Sequence, residues 1–206
     1  MGPNKLLFGQ SSGTVARIIE NWQLGWIFNV NSGAPMTVTG NNSLYGNGRP
    51  DLVGAFPTRE GRVTFTGTPA ASGSYWEPGS FTVDRDPQCS DVAASLRSLC
   101  TLNAIKDAKS GAILFQNALP GTFPTMGIGQ IFGPGRWRFD ANVSKAIKLS
   151  ESKNLQVRLD ATNVLNHPEP NAPTLNITGN AATNFGLISG KSNLRRQLQA
   201  QVRLNF

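Results

Sequence analysis

Three sets of residues in this chain of 206 are of types that do chemistry. Asp140 and Asp160 lie on two alternating runs joined by a short turn, so they can stand side by side as paired carboxylates do in acid–base sites. Arg138 and Arg158 precede them by two residues, and a salt-bridged wall network accounts for the four better than catalysis does. His167 is the only histidine and sits before Pro168 in a turn-like stretch, where such a residue is more often structural or solvated than catalytic. Cys89 and Cys100 are the only cysteines. With one histidine they do not make a four-ligand zinc site. A disulfide stapling an exposed loop fits them and implies an oxidising compartment, the alternative being two unrelated thiols. Walker, nucleophile-elbow and zincin patterns are missing, and Gly127-Ile128-Gly129 reaches Gly133 one residue late for the dinucleotide spacing. The expectation is that the chain is not an enzyme and carries no cofactor.

The net charge of +7 raises nucleic acid as a partner. The basic residues are scattered, Arg195-Arg196 being the only adjacent pair, so nucleic acid is not expected. Hydrophobic residues make up 39% of the chain, and no apolar run approaches the roughly 18 residues of a membrane helix. That excludes spanning by helices and leaves spanning by strands, whose alternation keeps average hydropathy low. Gly 22 and Pro 13, with abundant Asn, Ser and Thr, give a turn-rich β composition. Met1 to Lys5 leads into no apolar h-region, so the expectation is either that the chain is not exported or that it is the tail of something longer.

The elements that must position these residues are long alternating strands. Arg196 to Phe206 alternate without a fault: Leu198, Ala200, Val202, Leu204 and Phe206 fall on one face and polar residues on the other. Trp137 to Leu149 alternates likewise, with Lys145 interrupting the apolar face. Ser150 to Lys153 is a polar turn, after which Leu155, Val157, Leu159 and Ala161 repeat the pattern, which reads as an antiparallel hairpin. A register whose paired numbers sum to an even value keeps one face apolar. Upstream, Trp22, Leu24, Trp26, Phe28 and Val30 form another apolar face, continued past a bend or bulge near Gly33 to Val38. Leu6 to Ile19 is a weaker strand, with Glu20-Asn21 as its turn. A strand of about 11 residues spans about 36 Å, or about 25 Å when tilted, which matches the apolar band of an outer membrane. Connections alternate between short turns near residues 20 and 151 and long polar stretches at about 40 to 136 and 166 to 193. Within the longer stretch, local strands are expected at Arg62 to Thr66, Phe81 to Val83 and Ala112 to Phe115, and a helical turn around Asp91 to Leu99.

Four local patterns then resemble the C-terminus of TonB-dependent outer-membrane receptors, most closely the Oar-like group with a carboxypeptidase-regulatory-like N-terminal domain. They are Trp22-Gln23-Leu24-Gly25-Trp26 followed by Ser32-Gly33-Ala34-Pro35, Arg138 to Lys145, Asn163-Val164-Leu165-Asn166-His167-Pro168, and Phe185-Gly186-Leu187-Ile188. The resemblance covers residues 5 to 40 and 131 to 206. It implies a barrel of about 22 strands with a plug, of which this chain, with about five long strands, would be the C-terminal piece. The expected fold class is therefore all-β: an antiparallel transmembrane β-barrel segment, an open sheet in isolation, with a long external loop at 41–135 and the plug absent. The resemblance also implies a parent that takes up a large or scarce solute across the bacterial outer membrane. Expected partners are outer-membrane lipid, the remainder of the barrel and plug, TonB through the missing N-terminal part, and the barrel-assembly machinery. That machinery would read Leu198, Ala200, Val202, Leu204 and Phe206 as its signal. Arg138, Asp140, Asn142, Arg158, Asp160, Gln197, Gln199, Gln201 and Arg203 would line the lumen, most as hydrated wall residues. The competing reading is a soluble β-sandwich binding module, for carbohydrate as one option, with Tyr75 and Trp76 stacking on sugar.

Overall fold

A computed structural model of the chain describes residues 13–40, 48–58, 61–65, 73–191 and 195–206. They form two compact units, one built from the described residues of 1–30, 137–168 and 193–206, the other from those of 31–136 and 169–192.

The first unit is a wall of four strands, Trp22–Asn31, Arg136–Lys148, Asn154–Thr162 and Gln197–Asn205, neighbouring in chain order. Lengths of 10, 9 and 9 residues match the roughly 9–11 that cross a bilayer at a tilt, and Arg136–Lys148, at 13, is longer than that span needs. The hairpin pairs Ala141 with Ala161, Val143 with Leu159 and Ile147 with Leu155, so the sums are even and the apolar faces coincide. The last strand continues that face by pairing Leu155 with Leu204, Val157 with Val202 and Leu159 with Ala200. Trp26 and Phe28 approach Phe139 and Trp137 at ring separations of 6.0–6.4 Å, which puts the first strand's even-numbered residues on the same side.

The expected strand from Leu6 to Ile19 is a correction. Residues 13–19 are a short helix, Gly13–Ile19, and residues 6–12 lie outside the described residues. The wall therefore has four long strands among the described residues, where about five were expected. The helix wins because its end is well satisfied. Glu20 N–H donates to Ala16 O at 2.8 Å, Trp22 Nε1 to Ile18 O at 2.7 Å, and Lys145 Nζ to Arg17 O at 2.9 Å and to Ile18 O. Asn21, at φ 59, then turns the chain into the first wall strand.

The second unit holds the described residues of 41–135, the stretch expected to be a long connection carrying local strands. Those residues fold around a core that they share with the described residues of 169–192. The unit's strands are short, as in ordinary globular proteins. Pro50–Leu52, Ile113–Asn117, Asn103–Asp107 and Phe81–Arg85 make an antiparallel sheet in that order. Leu187–Ile188, Gly73–Ser74 and Thr64–Phe65 make a second. Pro35–Met36 pairs with Ile131–Phe132. The expected helical turn appears as a 3-10 helix, Ala94–Leu99, with another at Pro87–Ser90. Phe56, Trp76, Phe81, Phe115 and Phe185 pack edge-to-face or stacked, with Phe56 and Phe115 at 4.8 Å and Phe81 and Phe185 at 5.3 Å. Thr39 N–H donates to Leu175 O and Ile177 N–H to Thr39 O, which knits the two chain segments together.

Candidate functional site

The wall has two chemically opposite faces. On one, Trp22, Leu24, Trp26, Phe28, Val30, Val157, Leu159, Leu198, Val202 and Leu204 are all exposed, Trp26 at 64% and Val202 at 69%. A water-soluble monomer seldom presents a contiguous apolar surface of this extent. Among the described residues Lys145 is the one charge on this face, and its position is explained: its ammonium sits 4.9 Å over the Trp22 ring and caps the helix, so the alkyl stem stays on the face while the charge reaches carbonyls.

The other face is polar and ordered in rows. Asn142, Asp160 and Gln199 stand in register across three strands, as do Ser144, Arg158 and Gln201. The expected neighbouring carboxylates are each neutralised within their own strand. Arg138 Nε lies 3.1 Å from Asp140 Oδ2, and Arg158 holds Asp160 through two nitrogens at 2.7–3.0 Å. Period two brings residues i and i+2 to one face, so the pairs run along each strand and not across the hairpin. Gly25 faces Asn142 from the first strand, where a Cβ would meet the amide at 2.9 Å.

Beyond the third strand, the turn at 163–167 is a clamp. Asn163, at φ 48 and 2% exposed, accepts from His167 N–H at 2.9 Å and donates to His167 O at 3.0 Å. Its own N–H donates to Asp140 Oδ1 at 2.8 Å. The clamp lays the His167 ring on Trp137, with centroids 3.9 Å apart and planes 22° from parallel. His167 is thus structural, and Asp140 serves the turn as well as Arg138.

The ends of the wall are sorted. The turn after Lys148, the terminus after Asn205 and the start of the first strand at Trp22 share one end, as the pairs Lys148 with Asn154 and Asn154 with Asn205 show. Both long connections, after Asn31 and after Thr162, leave from the other end.

In the second unit Cys89 and Cys100 form a disulfide, with Cα atoms 5.6 Å apart. Sequence reasoning missed what anchors it. Asp86, 1% exposed, accepts from Gln88 N–H at 3.0 Å and from Asn117 N–H and Nδ2 at 2.7 and 2.9 Å, which ties the bridged segment to the sheet. Tyr75 and Trp76, the residues of the sugar-stacking alternative, are both buried; the Tyr75 hydroxyl donates to Phe132 O at 2.6 Å, and burial raises its pKa. The Trp76 ring lies close to Gly186, at φ +78, and the Tyr75 ring lies against Gly61, where a Cβ would collide with it. Gly33 does a similar task, since a Cβ there would collide with the Gly133 carbonyl. Two carboxylates are held below the ordinary range: Asp84 by its hydrogen bond with Lys106 and the Arg85 N–H, and Asp107 by the Ser110 hydroxyl and N–H. Lys109 is raised by its bond to Glu77. Among the described residues no cluster of His, Cys, Asp or Glu is placed to hold a metal ion.

Membrane-length antiparallel strands, an exposed apolar face, an ordered polar face and sorted ends define the wall of a bacterial outer-membrane barrel. The family described as outer membrane beta barrel domain matches residues 1–199. The chain belongs to that family, and its place is the bacterial outer membrane. No curated protein and no solved structure matches the chain.

Proposed function

We propose that this chain is the C-terminal part of a TonB-dependent receptor, whose whole takes up a large or scarce solute. In this reading the apolar face meets lipid and the polar face lines a hydrated interior. The second unit lies outside the cell, and the chain itself performs no catalysis. The observation that carries the proposal is the sorting of ends: both long connections leave from one end of the wall, and the short turn and last residue lie at the other. Outer-membrane barrels have short periplasmic turns and long outer loops, whereas a soluble sandwich has no reason to sort them. The wall also ends in strands with unpartnered edges among the described residues, and closed barrels need at least about eight staves. The resemblance to the Oar-like group adds the subtype, with TonB engaging through a part outside this chain.

The test is cross-linking in cells between the full-length protein and TonB, with and without proton-motive force. A cross-linked species that depends on TonB supports the receptor reading. A protein that inserts normally and never cross-links is an outer-membrane barrel of another kind.

A further inference from the structure

The strand pairing breaks at Gly33, and the break is lined by unpaired polar groups. The strand Trp22–Asn31 ends just before it, Pro35 and Met36 then pair with Phe132 and Ile131, and Arg136 opens the strand opposite. Within the break, Gly133 N–H donates to Ala34 O at 2.9 Å, and Gly33 packs against the Gly133 carbonyl too closely for any Cβ. A cavity of about 220 Å³ lies there, lined wholly by residues of the second unit. Ala34, Met36, Pro134 and Ala172 form its apolar part. Asn31, Ser32 and Arg136 are its polar side chains, and no carboxylate among the described residues lines it. None of these three side chains has a hydrogen bond or ion pair with a described residue. Arg138 and Arg158 show the contrast, since each is neutralised by an aspartate two residues further along its strand. Arg136 has Arg138 at that position and Pro134 at the other, so its strand supplies no counter-charge. Yet it is half-buried.

We propose that this cavity binds a small organic monocarboxylate, its charged end on Arg136 and its short aliphatic body against the apolar part. A guanidinium is a planar fork that matches a carboxylate with two parallel hydrogen bonds. The Asn31 amide and the Ser32 hydroxyl are donors for the lone pairs that remain. One positive charge balances one negative charge, whereas a phosphate monoester carries nearly two. A cation is repelled by Arg136, and a neutral ligand leaves the half-buried guanidinium without a counter-charge. At roughly 30 Å³ per water, the volume equals about seven waters, which suits a carboxylate of about three to five carbons. The inference is independent of the receptor reading, because it requires only the second unit to be folded.

Saturation-transfer NMR on the full chain in an uncharged detergent tests it, with protein-free micelles as the blank. The probes are propionate, isobutyrate and valerate. Isobutyramide is the neutral comparison of the same shape, choline the cation and inorganic phosphate the competing anion. Transfer to at least one carboxylate is expected, with none to isobutyramide or choline, and an equal concentration of phosphate should leave the carboxylate bound. Arg136→Gln removes the charge and should weaken that binding at least tenfold. Ala172→Phe, at an exposed position, fills the apolar part and should abolish it. If Arg136→Gln fails to fold, Ala172→Phe decides. No transfer to any of the three carboxylates would overturn the proposal. So would carboxylate binding unchanged in either variant, equal transfer to isobutyramide, or displacement by phosphate. Carboxylate binding in a protein that never cross-links to TonB would keep this inference and remove the receptor reading. A protein that cross-links and binds none of the three would do the reverse.

Discussion

At the scale of single residues, Asn163 bears the most. Its side chain satisfies both backbone groups of His167, its N–H reaches Asp140, and its backbone lies where L-residues are strained. Asn163→Ala removes both side-chain bonds and keeps the strain, so it should destabilise the wall by about 2–4 kcal/mol, read as a lower unfolding temperature in heat-modifiability gels. Asn163→Gly relieves the strain alone and should recover only part of the loss. Acid tests two other residues. Asp84 and Asp107 have folded pKa values below their unfolded ones, so the unfolded state binds more protons as pH falls. Their stabilisation is full above the unfolded carboxylate value, near about 4, and is lost as pH drops through the lower folded values. Near-ultraviolet circular dichroism of the second unit should therefore hold to about pH 4 and decline below it. Asp107→Asn should flatten part of that decline; a curve unchanged in this variant would show that the Ser110 contact adds nothing.

At the scale of elements, alternation made the wall legible. Leu198, Ala200, Val202 and Leu204 could be read onto one face from period two alone, and the even-sum hairpin register followed from odd apolar positions on both strands. Lys145 broke the pattern without revealing why, because its reason is the end of a helix more than a hundred residues away in sequence. The helix itself was illegible as such: Val15, Ala16, Ile18 and Ile19 suit a strand or a helix turn equally, and carbonyl satisfaction decides. The last strand invites a test. In assembly, an unpaired strand edge lets a partner pair with its backbone, and side chains at every second position add specificity. Phe206 is exposed at the chain end, so its removal should cost the finished barrel little stability. Deleting it should lower the outer-membrane level strongly while the inserted remainder stays nearly as heat-resistant. Normal levels would leave the residue with a lipid-facing role only.

At the scale of the whole molecule, two kinds of physics meet in one chain. The wall exposes apolar residues in strands of 9–13 residues, and the second unit buries aromatic residues among strands of 2–5. The second unit was the least legible part. Phe56, Trp76, Phe115 and Phe185 are far apart in sequence, no periodicity links them, and the 169–192 segment joins the core only through tertiary contact. Its polar composition reads as loop because short strands and turns carry few apolar residues. The Cys89–Cys100 pairing was open in the sequence and closed by proximity, while Asp86 and Asn117 gave no sequence signal.

The central claim is that one face of this wall meets lipid and the other water. Single cysteines placed in turn at 197 to 204 of the full-length protein in outer-membrane vesicles, each carrying a nitroxide, test it directly. The native disulfide remains closed and takes no label. The account predicts oxygen accessibility peaking at 198, 200, 202 and 204, and accessibility to a water-soluble nickel chelate peaking at 197, 199, 201 and 203. Uniform access of the nickel chelate to all eight positions would contradict it.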